Sequence, residues 1–254
     1  AQEVESKSAV NADYWHPLRK SIRERLNADV TVLGWIAAAG DQSPHIMFGE
    51  AGEERMRKLR GLDRLGEITR RIVNAVEDTY KVVEKEKHEN VQVAHVKKVV
   101  PLPMRLVTNS EYEASKKEIE NLKAQLAENP EALPRLYRKV NSFEADIVKR
   151  YEYQKENPAP KYDAEVHVTR IGDIVICTNP FELFTEYGIA MQARSKAIQT
   201  FVIQLAGPGT YLPTQKAING GHYSAIVQST LVGPEGGQIL VDQTVNMINE
   251  LFDQ

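Results

Sequence analysis

Side chains able to do hydrolytic chemistry gather in three short stretches of this sequence. The first, AAAGDQSPH over Ala37 to His45, follows an apolar run with an acid (Asp41), a hydroxyl (Ser43) and an imidazole (His45). The second, NPFELFTEYG, carries Glu182 and Glu186, whose spacing puts both carboxylates on one face of a helix. The third, GPGTYLPTQKAINGGHY, sets Tyr211, His222 and Tyr223 among glycines that let the backbone approach a ligand closely. Each residue also has an ordinary reading. Ser43 before Pro44 suits a turn or a cap, and no G-x-S-x-G motif supports it as a nucleophile. Glu182 near a helix start complements the dipole, and Tyr211 and Tyr223 suit half-buried loop aromatics. His16, His45 and His222 lack the H-E-x-x-H or C-x-x-C spacing of a zinc site. Residue types alone lead to an α/β hydrolytic enzyme or a binding domain.

The elements that would position these stretches follow from periodicity. Pro17 suits a first helical turn, and Leu18, Ile22 and Leu26 recur on one face, which predicts a helix from Tyr14 to Asn27. DVTVLGWIAAAG, Asp29 to Gly40, reads as a buried strand delivering the first stretch at its end. EERMRKLRG reads as a helix, and DRLGEITRRIVNAVEDTYKVVEK as a second with a stripe of Leu65, Ile68, Ile72, Val76 and Tyr80. NVQVAHVKKVVPLPMRLV alternates as one or two strands interrupted at Pro101 and Pro103. Residues 110–157 turn to the Glu, Lys, Ala, Leu and Gln of solvated helices, broken at ENPEALP, and read as a helical hairpin inserted on the outside of the domain. AEVHVTRIGDIVICTNP gives two strands around Gly172, FELFTEYGIAMQARSKA a helix, TFVIQLAG a strand and QILVDQTVNMINELF a closing helix. Strands alternating with helices predict an α/β fold, a mixed and largely buried sheet flanked by helices, as a single unit over 1–254.

Bulk composition narrows the class. The 254 residues are 42% hydrophobic and 26% charged, ordinary for a globular chain. A formal net charge of -3 argues against a nucleic-acid surface, which needs a basic excess. No apolar run is long enough for a membrane span, and AQEVESKSAV has neither the basic nor the apolar region of a signal peptide. The single cysteine, Cys177, lies in a strand-like apolar run and forms no internal disulfide.

Taken in order, the three stretches resemble the neutral/alkaline ceramidase family, zinc-dependent amidases that hydrolyse the N-acyl bond of ceramide. AAAGDQSPH resembles the family's A-G-(N/D)-x-S-P-N segment, and NPFELFTEYG its P-x-E-(F/L)-(F/T)-T-x-x-G segment. YLPTQKAINGGHY resembles Y-(V/I)-T-T-x-E-E-Y-x-x-x-x-Y, including the spacing of its two outer tyrosines, and GPEGGQ echoes G-P-H-T. The resemblance covers most of the chain apart from the hairpin. It implies that Ser43 is the active-site serine, that Glu182 and Tyr211 are zinc ligands, and that Tyr223 contacts the scissile carbonyl, with Asp41, His45 and His222 lining the site. It also implies a lipid-like or other N-acylated substrate and a secreted or periplasmic enzyme.

His45 stands where the family has Asn, Pro213 where it has the first Thr, and Ser224 where it has Glu. The family's two zinc-binding histidines precede the serine loop, in a half of the catalytic domain that does not match here. The expectation is therefore the C-terminal part of a larger ceramidase-like domain with an incomplete zinc site. A non-catalytic lipid- or carbohydrate-binding relative, or an amidase or esterase of other specificity, are the alternatives.

Overall fold

A computed structural model describes residues 2–4, 9–27 and 29–253, with the side chains of all but Arg135 and Arg138. The N-terminal stretch read above for targeting signals lies partly outside these residues. The chain falls into two compact units: one comprises residues up to Ile36 together with Gln42–Val91, the other Ala37–Asp41 together with Gln92 onward. Among the described residues no helix is long and apolar enough to cross a membrane.

The first unit is built from α1 (Trp15–Leu26), α2 (Glu50–Leu59) and α3 (Arg64–Val83). Leu18 and Ile22 of α1 bury against Val73 of α3, with Ile72 and Val76 packed beside them. Burying each such aliphatic side chain contributes roughly 1.5–3 kcal/mol. Asp63 starts α3 by accepting a hydrogen bond from Gly66 N at 2.6 Å. The expected stripe of Leu65, Ile68 and Tyr80 is only half-buried. The face turned deepest inward carries Glu67, Thr69 and Val73 instead. Glu67 is admitted because Arg70 and Arg71 clasp it at 2.7 and 2.9 Å, with Arg60 behind them at 3.4 Å.

Asp29 to Gly40 is not the strand that its apolar pattern predicts. Its carbonyls find side-chain donors instead of a ladder. Val32 O accepts from Arg19 Nε at 3.2 Å and Val30 O from Arg23 Nε at 3.0 Å, both arginines projecting from α1. Val30 and Val32 then pack against the α1–α3 cluster. A side-chain donor satisfies a carbonyl as well as a neighbouring strand does, so β-propensity without a partner strand builds no sheet.

The second unit holds a mixed four-stranded sheet flanked by helices. Strands β1 (Val93–Pro103), β2 (Lys161–Ile171) and β3 (Ile174–Thr178) run antiparallel in sequence, and β5 (Gln199–Ile203) lies parallel to β3. Between β3 and β5 come the two-residue strand β4 (Glu182–Leu183) and helix α7 (Thr185–Arg194). Strand β6 (Tyr211–Leu212) pairs with β4 in a separate parallel ladder. A short α8 (Gln215–Gly220) and the long closing helix α9 (Pro234–Glu250) complete the unit, so the stretch GPGTYLPTQKAINGGHY, which reads from its glycines and prolines as a long loop, contains its own strand and helix. β2 and β3 join through Gly172 and Asp173, with Gly172 at φ 59°, a left-handed value that glycine adopts at little cost.

Val100, Leu102, Ala164, Val166, Val168, Val175, Cys177 and Val202 point from one face of the sheet into a core closed by Met191 of α7 and Leu240, Val241 and Ile248 of α9. The opposite face is open rather than largely buried, with Val93, Val99 and Phe201 exposed. β1 runs unbroken through Pro101 and Pro103, because it is the edge strand and its outward positions need no N–H donor. The hairpin region comprises α4 (Asn109–Glu128), a 3-10 turn, α5 (Leu133–Arg138), a π-helical turn at Lys139–Phe143 and α6 (Glu144–Glu156). Thr108 and Glu111 cap α4 reciprocally.

Arg70 first, then Arg71 and Arg60, hold the Glu67 carboxyl down at about 2 against an ordinary 4.5. Its stabilising effect is therefore full above the ordinary value and lost as pH falls through about 2. Both tryptophans, Trp15 and Trp35, lie in the first unit, so their emission reports its unfolding. Urea titrations should show stability falling steeply below pH 4.5, whereas Glu67→Gln should cost roughly 2 kcal/mol at pH 7 and flatten that acid dependence. Burial pushes the Cys177 thiol up to about 12, so thiol reagents at pH 8 should label it only after denaturation.

Candidate functional site

Glu182 does not belong to the helix that the second stretch suggested. It lies in β4, and only Glu186 belongs to α7, so the two carboxylates share no helix face. The helix begins later because the backbone at Glu182 and Leu183 is drawn into pairing with β6. In that parallel ladder Glu182 lies opposite Tyr211 and Leu183 opposite Leu212. Leu183 and Leu212 are fully buried, which drives the alternate residues Glu182 and Tyr211 to the half-exposed side. Two residues distant in sequence thus stand side by side because their neighbours are apolar.

The first stretch contributes directly to this arrangement. Gly40 N donates to Leu183 O at 2.8 Å, and the buried Gln204 amide oxygen accepts from both Leu183 N (2.8 Å) and Ala39 N (3.2 Å). Gly40 is required here, since a Cβ would lie 2.3 Å from the Glu182 carbonyl oxygen. Gly188 of α7 makes the corresponding room for Ala38. Asp41 accepts from Thr185 N at 2.8 Å and Thr185 Oγ1 at 2.7 Å, closing the first turn of α7. The carboxylate of Asp41 is thereby engaged in holding a helix start.

Tyr223 follows α8 in a 3-10 turn and remains half-exposed. Its ring meets Tyr211 edge-on at 5.9 Å between centroids. On its other side it lies nearly parallel to Phe143, at 6.2 Å and 9°. Phe143 comes from the π-helical turn of the hairpin, so the region read as an outer insertion supplies an aromatic neighbour to the site. No sequence spacing links the two residues. A lone aromatic at a break between helices is the only signal that could have singled out Phe143. The segment carrying Tyr223 is fastened by two arginines. Arg105 donates to Ala225 O and Thr230 Oγ1, and Arg150 donates to Val227 O and Arg105 O. Burial and the nearby Arg105 charge lower Arg150 to about 10.

Ser43 and His45 lie in the first unit, where Ser43 Oγ and His45 Nδ1 are 3.0 Å apart. His45 N also donates to Ser43 Oγ at 3.2 Å, forming a local turn. His45 borders a cleft of about 340 Å³ lined also by Glu3, Glu50, Glu54, Arg57 and Arg64. Arg64 braces this loop by donating to Pro44 O while gripping Glu3 through Nε and Nη2. His222 is exposed and its carbonyl accepts from Ala225 N, closing the turn that carries Tyr223. The second unit therefore gathers Glu182, Tyr211 and Tyr223, uses Asp41 as a cap, and leaves Ser43 and His45 paired with each other.

The oxygens of Glu182 and Tyr211 suit a zinc ion in kind, and they are two of the three protein ligands that catalytic zinc usually takes. Among the described residues no three His, Cys, Asp or Glu side chains are grouped to hold a metal. Because Gly40 carries the β4 backbone, Gly40→Ala should lower the melting temperature of the second unit by several degrees, equivalent to about 1–3 kcal/mol. Gln204→Leu should do the same by orphaning two buried amides, and differential scanning calorimetry of both variants checks the claim. Compared with protein-family models, with curated proteins and with solved structures, the chain matches none, so its own geometry carries the functional reading.

Proposed function

We propose that this chain forms part of a zinc-dependent amidase of the neutral ceramidase type, hydrolysing the N-acyl bond of a lipid-like or other N-acylated substrate. The observation that carries the reading is the register of Glu182 opposite Tyr211, with Tyr223 against the Tyr211 ring. Glu182 and Tyr211 would hold the ion together with a further donor. Bound zinc would polarise the carbonyl and make its water acidic enough to ionise near neutral pH. Tyr223 presents a phenolic donor beside them, the kind of group that stabilises the oxygen of a developing tetrahedral centre. Ser43 has the imidazole of His45 within hydrogen-bond reach, the pairing that activates a hydroxyl nucleophile. The resemblance further suggests a secreted or periplasmic protein.

A binding protein without catalysis is the second reading, favoured by Asp41 being committed to α7. Zinc analysis of the whole protein, purified without chelator, separates the two. The amidase reading expects bound zinc of which about one equivalent per chain is lost in Glu182→Gln, and turnover of N-acyl amides reduced roughly tenfold or more in Tyr223→Phe and Ser43→Ala with circular dichroism unchanged. Zinc-free protein that still binds N-acylated lipid would establish the binding reading instead.

A further inference from the structure

On the open face of the four-stranded sheet, His95 of β1 and His167 of β2 lie diagonally across the antiparallel ladder, with His95 opposite Thr169 and Lys97 opposite His167. Their rings are 5.2 Å apart between centroids and tilted by only 18°, so His95 Nε2 and His167 Nδ1 face each other at 3.0 Å. The other nitrogen of His167, Nε2, lies 3.0 Å from Glu165 Oε1, and Lys97 pairs with the second oxygen of that carboxylate. An ionised Glu165 accepts only, so His167 Nε2 carries the proton and its Nδ1 lone pair is directed at His95.

This is the arrangement in which a carboxylate orients a metal-binding imidazole from behind. We propose that His95 Nε2 and His167 Nδ1 form a two-imidazole site for a first-row divalent cation, Cu²⁺ or Zn²⁺, with Glu165 as the positioning residue and water in the remaining coordination positions. Two nitrogens that each bind one ion at about 2.0–2.1 Å are no more than about 4 Å apart, and the facing nitrogens of His95 and His167 already stand within that separation, at 3.0 Å. The proton now shared between the rings moves to His95 Nδ1, which leaves both facing nitrogens unprotonated and the charge of the protein unchanged. Imidazole ligands favour copper over zinc at equal concentration. Neither histidine belongs to the Glu182, Tyr211 and Tyr223 group, so the site stands or falls apart from the hydrolase reading.

Titration of the chain with Cu²⁺, followed by electron paramagnetic resonance and by competition with Zn²⁺, tests the site. One equivalent should bind with hyperfine coupling from two nitrogens. His95→Asn and His167→Asn should each weaken binding at least tenfold, and Glu165→Gln by about tenfold through loss of ring orientation. All three positions are on an open face, so circular dichroism should match the parent, and the pair His95→Gln and His167→Gln serves if an Asn variant is poorly folded. Glu182→Gln should leave the affinity unchanged. Affinity within twofold of the parent in the folded histidine variants, coupling to a single nitrogen, or loss of binding in Glu182→Gln would each overturn the proposal.

Discussion

The arrangement of the candidate site depends on a ladder of two residues. A parallel pair as short as β4 and β6 has too few hydrogen bonds to persist alone. It persists here because everything around it is tied down. Gln204 spends its amide oxygen on Leu183 N and Ala39 N, Gly40 donates to Leu183 O, and Glu182 N donates to Thr210 O. Leu183 and Leu212 are sealed into the main core. Tyr187 of α7 donates to Pro213 O just beyond β6, and Gly237 of α9 has no side chain where the Tyr187 ring passes. Glu182 and Tyr211 are thereby placed by rigid backbone, which is how a site avoids losing precision to loop motion.

Arginine does a large share of the positioning in both units, and it does so by satisfying oxygens of the fold. In the first unit Arg19 and Arg23 take up carbonyls of the segment after α1, while Arg60, Arg70 and Arg71 converge on Glu67. In the second, Arg105 and Arg150 fasten the strap that carries Tyr223. A guanidinium suits this work because it keeps its charge when half-buried and offers several donors in a fixed fork. The arginines of α1 and α3 named here are therefore structural cations, each satisfying an oxygen of the first unit.

Helices were the most legible feature of the sequence. Amphipathic spacing located α1 and α3, and the β-branched runs located β2, β3 and β5. The two large misreadings have one cause. Asp29 to Gly40 is as β-prone as any strand here, and Glu182 sits in a sequence that could start a helix. Whether such a segment pairs depends on a distant backbone edge that local pattern does not reveal. The prolines of β1 mislead for the same reason, since they break an inner strand and are harmless at an edge.

From the sequence alone came the kinds of group available: a carboxylate at Glu182, phenols at Tyr211 and Tyr223, a hydroxyl and imidazole at Ser43 and His45, and an overall alternation of helix and strand. Periodicity can carry that much because it is a property of neighbours along the chain. Tertiary structure alone decided which of these groups meet. It set Glu182 beside Tyr211 through the burial of Leu183 and Leu212, turned Asp41 into a helix cap, brought Phe143 of the hairpin to Tyr223, and aligned His95 with His167 across the β1–β2 register. Each of these is a long-range packing event, and its outcome is written in the balance of buried area and paired hydrogen bonds over the whole unit, not in any local motif.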